Sequence, residues 1–161
     1  DIRDLMAALK QHRGERPPQP LLLKIETGLA VRNLPRLIVQ AGSHHPVAVM
    51  IARGDLAMEV GTERLSEAQE EILWLCEAAH IPVVWATQVL ETLLKSGAPS
   101  RAEVTDAAMG QRAECIMLNK GPYIIETIRF LAGILRRMDR HQFKKTARLS
   151  ALTSWRGAQP L

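Results

Sequence analysis

The chain is poor in aromatic residues, which make up 4% of its 161 positions. Surfaces that hold single-stranded nucleic acid interleave stacking aromatics with a basic stripe. Here the net charge is only +4 and is spread along the chain. Its densest clusters, "LRRMDRHQFKK" and "HRGER", read as solvated helix ends, so no nucleic-acid partner is expected. A mild positive balance does suit an anionic small molecule. Two cysteines, Cys76 and Cys115, are too few for a disulfide framework or a zinc site. Both lie in apolar patterns and are expected to be buried thiols in a reducing cytoplasm. No apolar run nears the ~20 residues that span a bilayer, so no membrane partner is expected. No N-terminal signal pattern is seen, and the first residue is Asp rather than Met, which suggests a processed or excised piece. There is no GxxxxGK[ST] or GxGxxG, hence no self-contained loop for nucleotide phosphates, and no HxH or HExxH spacing for zinc.

What is present is a core. Hydrophobic residues reach 47%, enough for one folded domain. Its expected limits are 1–145, with a tail over 146–161 read as loop or frayed helix. "DIRDLMAALKQH" sets Ile2, Leu5, Met6 and Leu9 on one helical face, and "RGERPPQP" ends it. "LLLKIE", "HPVAVMIA", "IPVVWAT" and "CIML" read as strands. "VRNLPRLIVQA" reads as a short helix with Pro35 in its first turn. "RLSEAQEEILWLCEAAH" is a helix with Leu65, Ala68, Ile72, Leu75 and Ala79 on one face and a capping box from Ser66 and Gln69. "SRAEVTDAAMGQRA" is a helix weakened by Gly110. "YIIETIRFLAGILRRMDRHQ" is a last helix whose inner face carries Ile124, Ile128, Leu131, Leu135 and Met138. The order α-β-α-β-α-β-α-β-α means an α/β fold, a parallel sheet of about four strands with covering helices.

Right-handed crossovers place every strand's carboxyl end on one rim, where such folds carry their function. The polar residues fall there: Lys24 and Glu26 after the first strand; Arg53, Gly54 and Asp55 after the second; Thr87, Gln88 and Glu91 after the third; Asn119 and Lys120 after the fourth. Lys24 and Glu26, two apart, share a face. A structural ion pair is one explanation for them. Asp55 adds a second carboxylate from the neighbouring strand, and the two make a hard-oxygen site suited to Mg²⁺ or Mn²⁺. Gly54 allows a close backbone approach, and the N–H groups beside it suit a carboxylate. "RGD" also fits a helix-start loop with Asp55 as N-cap. The Thr87 hydroxyl can donate to an oxyanion or enolate, though a threonine at a strand end is often only a β-former.

At these residues the sequence resembles pyruvate kinase. "LKIET", "MIARGDLAMEV", "ATQVLETLLKSGAPSRAEVTDAAM" and "ECIMLNKG" stand in that family's order at similar spacing, and the likeness covers most of the chain. It implies half of a TIM (β/α)8 barrel, strands five to eight. It implies phosphoryl transfer between phosphoenolpyruvate and ADP, giving pyruvate and ATP, in the glycolytic cytoplasm. Residue by residue, Lys24 matches the lysine that stabilises the transferring phosphoryl group. Glu26 and Asp55 match the divalent-metal ligands. Gly54 and Asp55 match the backbone that receives the substrate carboxylate, with Arg53 beside them. Thr87 matches the threonine near the enolate carbon. Potassium is implied for the full enzyme, but its ligands are not in this chain.

The family continues its last strand as LSGETAKG, where this chain reads "LNKG", so Asn119 stands in place of the serine and the GETA portion is absent. "PSRAE" replaces PTRAE. A full barrel takes roughly 250 residues, and the first four strands, with the residues that grip the nucleotide, are not here. The isolated chain is therefore expected to lack useful kinase activity, and to be part of a longer chain or to self-associate through its sheet edges. Two other readings stay open: a metal-dependent lyase or aldolase of the phosphoenolpyruvate/pyruvate barrel type, and a non-catalytic regulatory or binding module.

Overall fold

The computed structural model describes residues 2–14, 16–143 and 146–147. Four strands, β1 (Leu21–Ile25), β2 (Val47–Ala52), β3 (Val83–Ala86) and β4 (Cys115–Ile116), form one sheet in the order β1-β2-β3-β4. All three pairings are parallel, with Ile25 beside Ile51, Ile51 beside Trp85, and Trp85 beside Ile116. The α/β fold expected above is the fold observed, a partial barrel wall with helices between successive strands.

In-register parallel neighbours share a face, so the pairing sorts the side chains. Ile25, Val49, Ile51, Val83 and Trp85 are buried on one face, packed in the same core as Leu34, Ile38, Ile72, Leu73, Cys76 and Leu131 from the helices. Each such side chain, fully buried, contributes about 1.5–3 kcal/mol. The alternate positions, Leu22, Lys24, Met50, Val84 and Cys115, occupy the other face. Leu22 there is 50% exposed and Cys115 is exposed. The sheet is thus anchored to its helices on one side and left open on the other. Cys76 is buried as expected, whereas the exposure of Cys115 corrects its expected burial, because β4 is an edge strand and Cys115 points with Val84 to the open face.

Among the described residues, seven helices accompany the strands: α1 (Ile2–Arg13), α2 (Gly28–Gly42), α3 (Arg53–Val60), α4 (Thr62–Ala78), α5 (Glu91–Ser96), α6 (Arg101–Met109) and α7 (Ile124–Met138). α5 was not expected, and α3 was expected only as a helix capped by Asp55; α3 instead starts at Arg53, with Asp55 in its first turn, and both short helices begin on the rim itself. α2 starts earlier than its apolar pattern, because Thr27 caps it by accepting a hydrogen bond from the Ala30 N–H at 3.1 Å. Pro35 therefore lies inside the helix rather than in its first turn. α4 likewise begins before Ser66, which is interior to it and caps nothing. The capping box belongs to α6, between Ser100 and Glu103. A 3-10 turn, Gly110–Arg112, follows α6. A Cβ at Gly110 would fall 2.6 Å from Ile116 Cδ1, so glycine there lets this turn close onto the sheet.

Two further expectations shift. "CIML" pairs over Cys115–Ile116 only. On α7, which packs against α6 and α5, Leu131 is buried but Ile128 is 49% exposed. Within the expected tail, Thr146–Ala147 forms a short antiparallel strand, β6, with β5 (Gln142–Phe143); the remainder of 146–161 lies outside the described residues.

Candidate functional site

The rim is assembled by the ends of β1, β2 and β3. Lys24 extends from β1 on the open face, and its ammonium pairs with the Glu26 carboxylate. The same Nζ lies 3.4 Å from Oδ2 of Asp55, in the first turn of α3. One cation therefore gathers two carboxylates from adjacent strand ends. These contacts raise the Lys24 pKa, the hydrogen bond to Glu26 being the largest cause and Asp55 adding to it, which fixes the side chain as an ammonium. All three side chains are solvent-accessible, so their attraction is screened and contributes little to stability. Such an arrangement is better suited to charge exchange with a ligand than to holding the fold.

Gly54 and Thr87 are joined across the β2 and β3 ends. The Gly54 N–H donates to Thr87 Oγ1 at 2.8 Å. With that lone pair engaged, the Thr87 hydroxyl proton is left to donate elsewhere. Thr87 and Gln88 have φ of 63° and 57°, and Leu90 has 51°. Three non-glycine residues in the left-handed region within one loop are uncommon, and such strain concentrates at functional sites.

The Arg53 guanidinium does not face the rim. Its Nε donates to the Ala86 carbonyl at 2.8 Å and its Nη2 to the Thr87 carbonyl at 2.6 Å. Nη1 pairs with Asp106 of α6, and the group lies 4.7 Å above the Trp85 ring. Arg53 is 7% exposed. Asp106 went unnoticed in the sequence, since it lies 53 residues away on a helix whose local pattern carries no mark of the pairing.

Asn119 and Glu91 meet at the far end of the rim. Asn119 Nδ2 donates to Glu91 Oε2 at 2.8 Å, and Lys95 Nζ lies 2.7 Å from Glu91 Oε1. These bonds, the one from Lys95 first, hold the Glu91 carboxyl below the usual range. Asn119 thus ties the β4 end to α5. Lys120 is exposed.

A cleft of about 630 Å³ opens beside Arg53, Gly54, Asp55, Thr87, Gln88 and Asp106. Lys24 and Glu26 do not line it. A larger hollow of about 860 Å³, between α1 and α2, contains none of the rim residues, so size alone is a poor guide to the site. Among the described residues, no cluster of three or more His, Cys, Asp or Glu side chains gathers as a metal site. Glu26 and Asp55 nonetheless supply two hard oxygen donors converging on one cation, a set that fits Mg²⁺, which keeps several waters of its own.

The matching family profile is that of the pyruvate kinase barrel domain, over residues 1–128. The chain is 34% identical to a pyruvate kinase of Encephalitozoon cuniculi over 131 residues, covering 78% of this chain and 29% of that protein. It is 35% identical to pyruvate kinase 1 of Trypanosoma brucei brucei over 140 residues, 83% of this chain and 26% of that protein. A pyruvate kinase of Dictyostelium discoideum is 40% identical over 97 residues, 56% of this chain and 19% of that protein. The chain therefore spans less than a third of the length of the curated relatives it matches. The profile covers all three strand ends that build the rim, and the chain belongs to the pyruvate kinase family.

Proposed function

We propose that the chain carries one half of a phosphoryl-transfer site, the half that holds phosphoenolpyruvate and its enolate, and that the parent protein makes pyruvate and ATP from phosphoenolpyruvate and ADP. The observation that carries the reading is the convergence of Glu26 and Asp55 on Lys24, next to the Gly54–Thr87 pair. Phosphoryl transfer needs positioning and charge neutralisation more than covalent chemistry, and these groups provide both. Lys24 brings a fixed positive charge to the transferring phosphoryl oxygens. The backbone N–H of Asp55, beside Gly54 at the positive end of α3, receives the substrate carboxylate, the Gly54 N–H being engaged by Thr87. Thr87, its lone pair held by Gly54, donates its hydroxyl proton toward the enolate. Glu26 and Asp55 would hold Mg²⁺ or Mn²⁺, which when bound neutralises charge between enolate and phosphoryl oxygens.

ADP and any potassium ion belong with a barrel half that this chain does not contain. The exposed Leu22 and the open sheet face call for that cover, from the rest of a longer chain or from a second copy. We accordingly propose that the isolated chain binds the enolate end of the substrate but does not turn over. The exposed thiol of Cys115 is in keeping with a reducing compartment such as the cytoplasm. No helix among the described residues is long and apolar enough to cross a membrane.

Calorimetry with Mn²⁺ and oxalate, an enolate mimic, tests the reading alongside a coupled assay with phosphoenolpyruvate, ADP and Mg²⁺. Expected are heat of binding that disappears in Glu26→Ala and Asp55→Ala, and no turnover. Absence of binding by the wild-type chain would refute the half-site. Turnover that is lost in Glu26→Ala would refute the inactivity, and cleavage of a carbon–carbon bond in a 2-oxo acid would favour the lyase or aldolase reading.

A further inference from the structure

The geometry points to Arg53 as a positioning residue of the rim, not a substrate-binding one: its guanidinium locks the β3–α5 loop against the start of α3, so that Thr87 and Gly54 are held in hydrogen-bonding register. Four contacts carry this. The carbonyls of Ala86 and Thr87 accept from Nε and Nη2, Asp106 pairs with Nη1, and the Trp85 ring lies beneath. The Ala86 and Thr87 carbonyls are where β3 ends and the chain turns left-handed, with φ of 63° at Thr87. The next residue after Arg53 is Gly54, whose N–H donates to the Thr87 hydroxyl. Arg53 and Gly54 thus grip Thr87 from the same helix, one by its carbonyl and one by its side chain.

Only arginine has the shape for this. Its planar fork presents donors in fixed directions, satisfies two carbonyls and a carboxylate at once, and stacks on an indole; an ammonium is a single point on a flexible stem. At 7% exposure, with Nε, Nη1 and Nη2 each engaged by the protein, the group is committed to the loop and not to a ligand. Asp106, whose side chain is 31% exposed, neutralises the buried charge and links the grip to α6.

The test reads the Gly54 amide, which needs no ligand. Arg53→Lys keeps a cation for Asp106 but cannot hold both carbonyls. It should leave the chain folded by circular dichroism while Gly54 hydrogen exchange, followed by NMR, quickens about tenfold or more. Mn²⁺–oxalate affinity should fall about tenfold; this arm rests on the ligand reading above. Asp106→Asn, which keeps the shape and removes the charge, should quicken Gly54 exchange by a smaller factor and decides the matter if Arg53→Lys does not fold. Gly54 exchange within about twofold of wild type in the folded variant would overturn the proposal. So would a loosened Gly54 with unchanged oxalate affinity, since Arg53 would then be merely structural. If the wild-type chain binds no oxalate, the substrate reading fails, and the Gly54 exchange rates alone decide the clamp.

Discussion

Replacing Gly54 by alanine separates what the fold needs at this position from what a ligand needs. A Cβ on Gly54 would meet Thr87 Oγ1 at 3.5 Å and the Gln88 amide at 3.8 Å, ordinary contacts. Its φ is not left-handed, so alanine can adopt the backbone. Gly54 lies in the first turn of α3, where glycine-to-alanine changes at compatible sites stabilise by about 0.4–1 kcal/mol, chiefly by restricting the unfolded chain. For a domain of this size that raises Tm by about 1–4 °C. A carboxylate seated on the Asp55 N–H close against the Gly54 backbone would, by contrast, meet the new methyl. A tenfold weaker Mn²⁺–oxalate complex, about 1.4 kcal/mol, is the least expected. Thermal melting and calorimetry on one sample give both numbers. Gly121→Ala is the control, because its Cβ would fall 2.6 Å from both the Cγ and the carbonyl O of Leu94, and it should be destabilised by about 1–3 kcal/mol. A Gly54→Ala chain that melts more than about 4 °C below wild type would refute the packing described here. One that is stable and binds oxalate as tightly as wild type would refute the carboxylate cradle.

Two simpler measurements bear on the rim and the sheet. The folded pKa of Glu91 is lowered by Lys95 and Asn119. Burial alone would raise that of Glu103, but hydrogen bonds from Ser100 and Thr92 outweigh it and lower the value. Carboxylates depressed in the folded state contribute stability that is fully present above the ordinary glutamate pKa and is lost as pH falls through the folded values. The urea midpoint should therefore drop as pH is lowered below about 4.5, and less steeply in the Glu91→Gln, Glu103→Gln double variant; parallel slopes would refute those bonds. Ellman's reagent should find one fast thiol, Cys115 on the open face, and one that reacts only on unfolding, Cys76 in the core. Protection of Cys115 would mean that the open face is covered in solution, and its return on dilution would identify a second copy as the cover.

The alternation of apolar strands and amphipathic helices was legible because it is local. Each of the four strands is a short apolar run, and α4 and α7 carry their helical period within themselves. α5 was not legible, and the start of α3 was not, for the opposite reason. Both helices are short and open on polar residues: "RGD", which fits a loop before a helix as well as a rim site, and "ETLLKS". Their helicity comes from docking, Leu56 and Leu94 being fully buried, which no short-range pattern reports. The caps went the same way. Ser66 has the right neighbours for a capping box but lies inside α4, because the helix already starts at Thr62.

The rim divides along a similar line. Placing Lys24, Glu26, Asp55 and Thr87 together needed only strand ends and the rule that parallel strands share a rim. The role of Arg53 needed depth: in the string "ARGDL" it stands beside Gly54 and Asp55 and invites the same assignment, yet its side chain runs inward to carbonyls on β3 and a carboxylate on α6. Successive residues in the first turn of α3 point in different directions around the helix axis, so one motif can serve two purposes. In "RGD" all three residues line the cleft, but the arginine's guanidinium is held by the loop carbonyls and Asp106 and secures the loop that brings Thr87 to the other two. A charge that touches no ligand can then govern ligand affinity, because the carboxylate cradle and the proton donor lie on different strands and are held in register from beneath. On these grounds, loss of Arg53 should resemble loss of Thr87 more closely than loss of Asp55: the carboxylates would remain, and the donor would no longer be aimed.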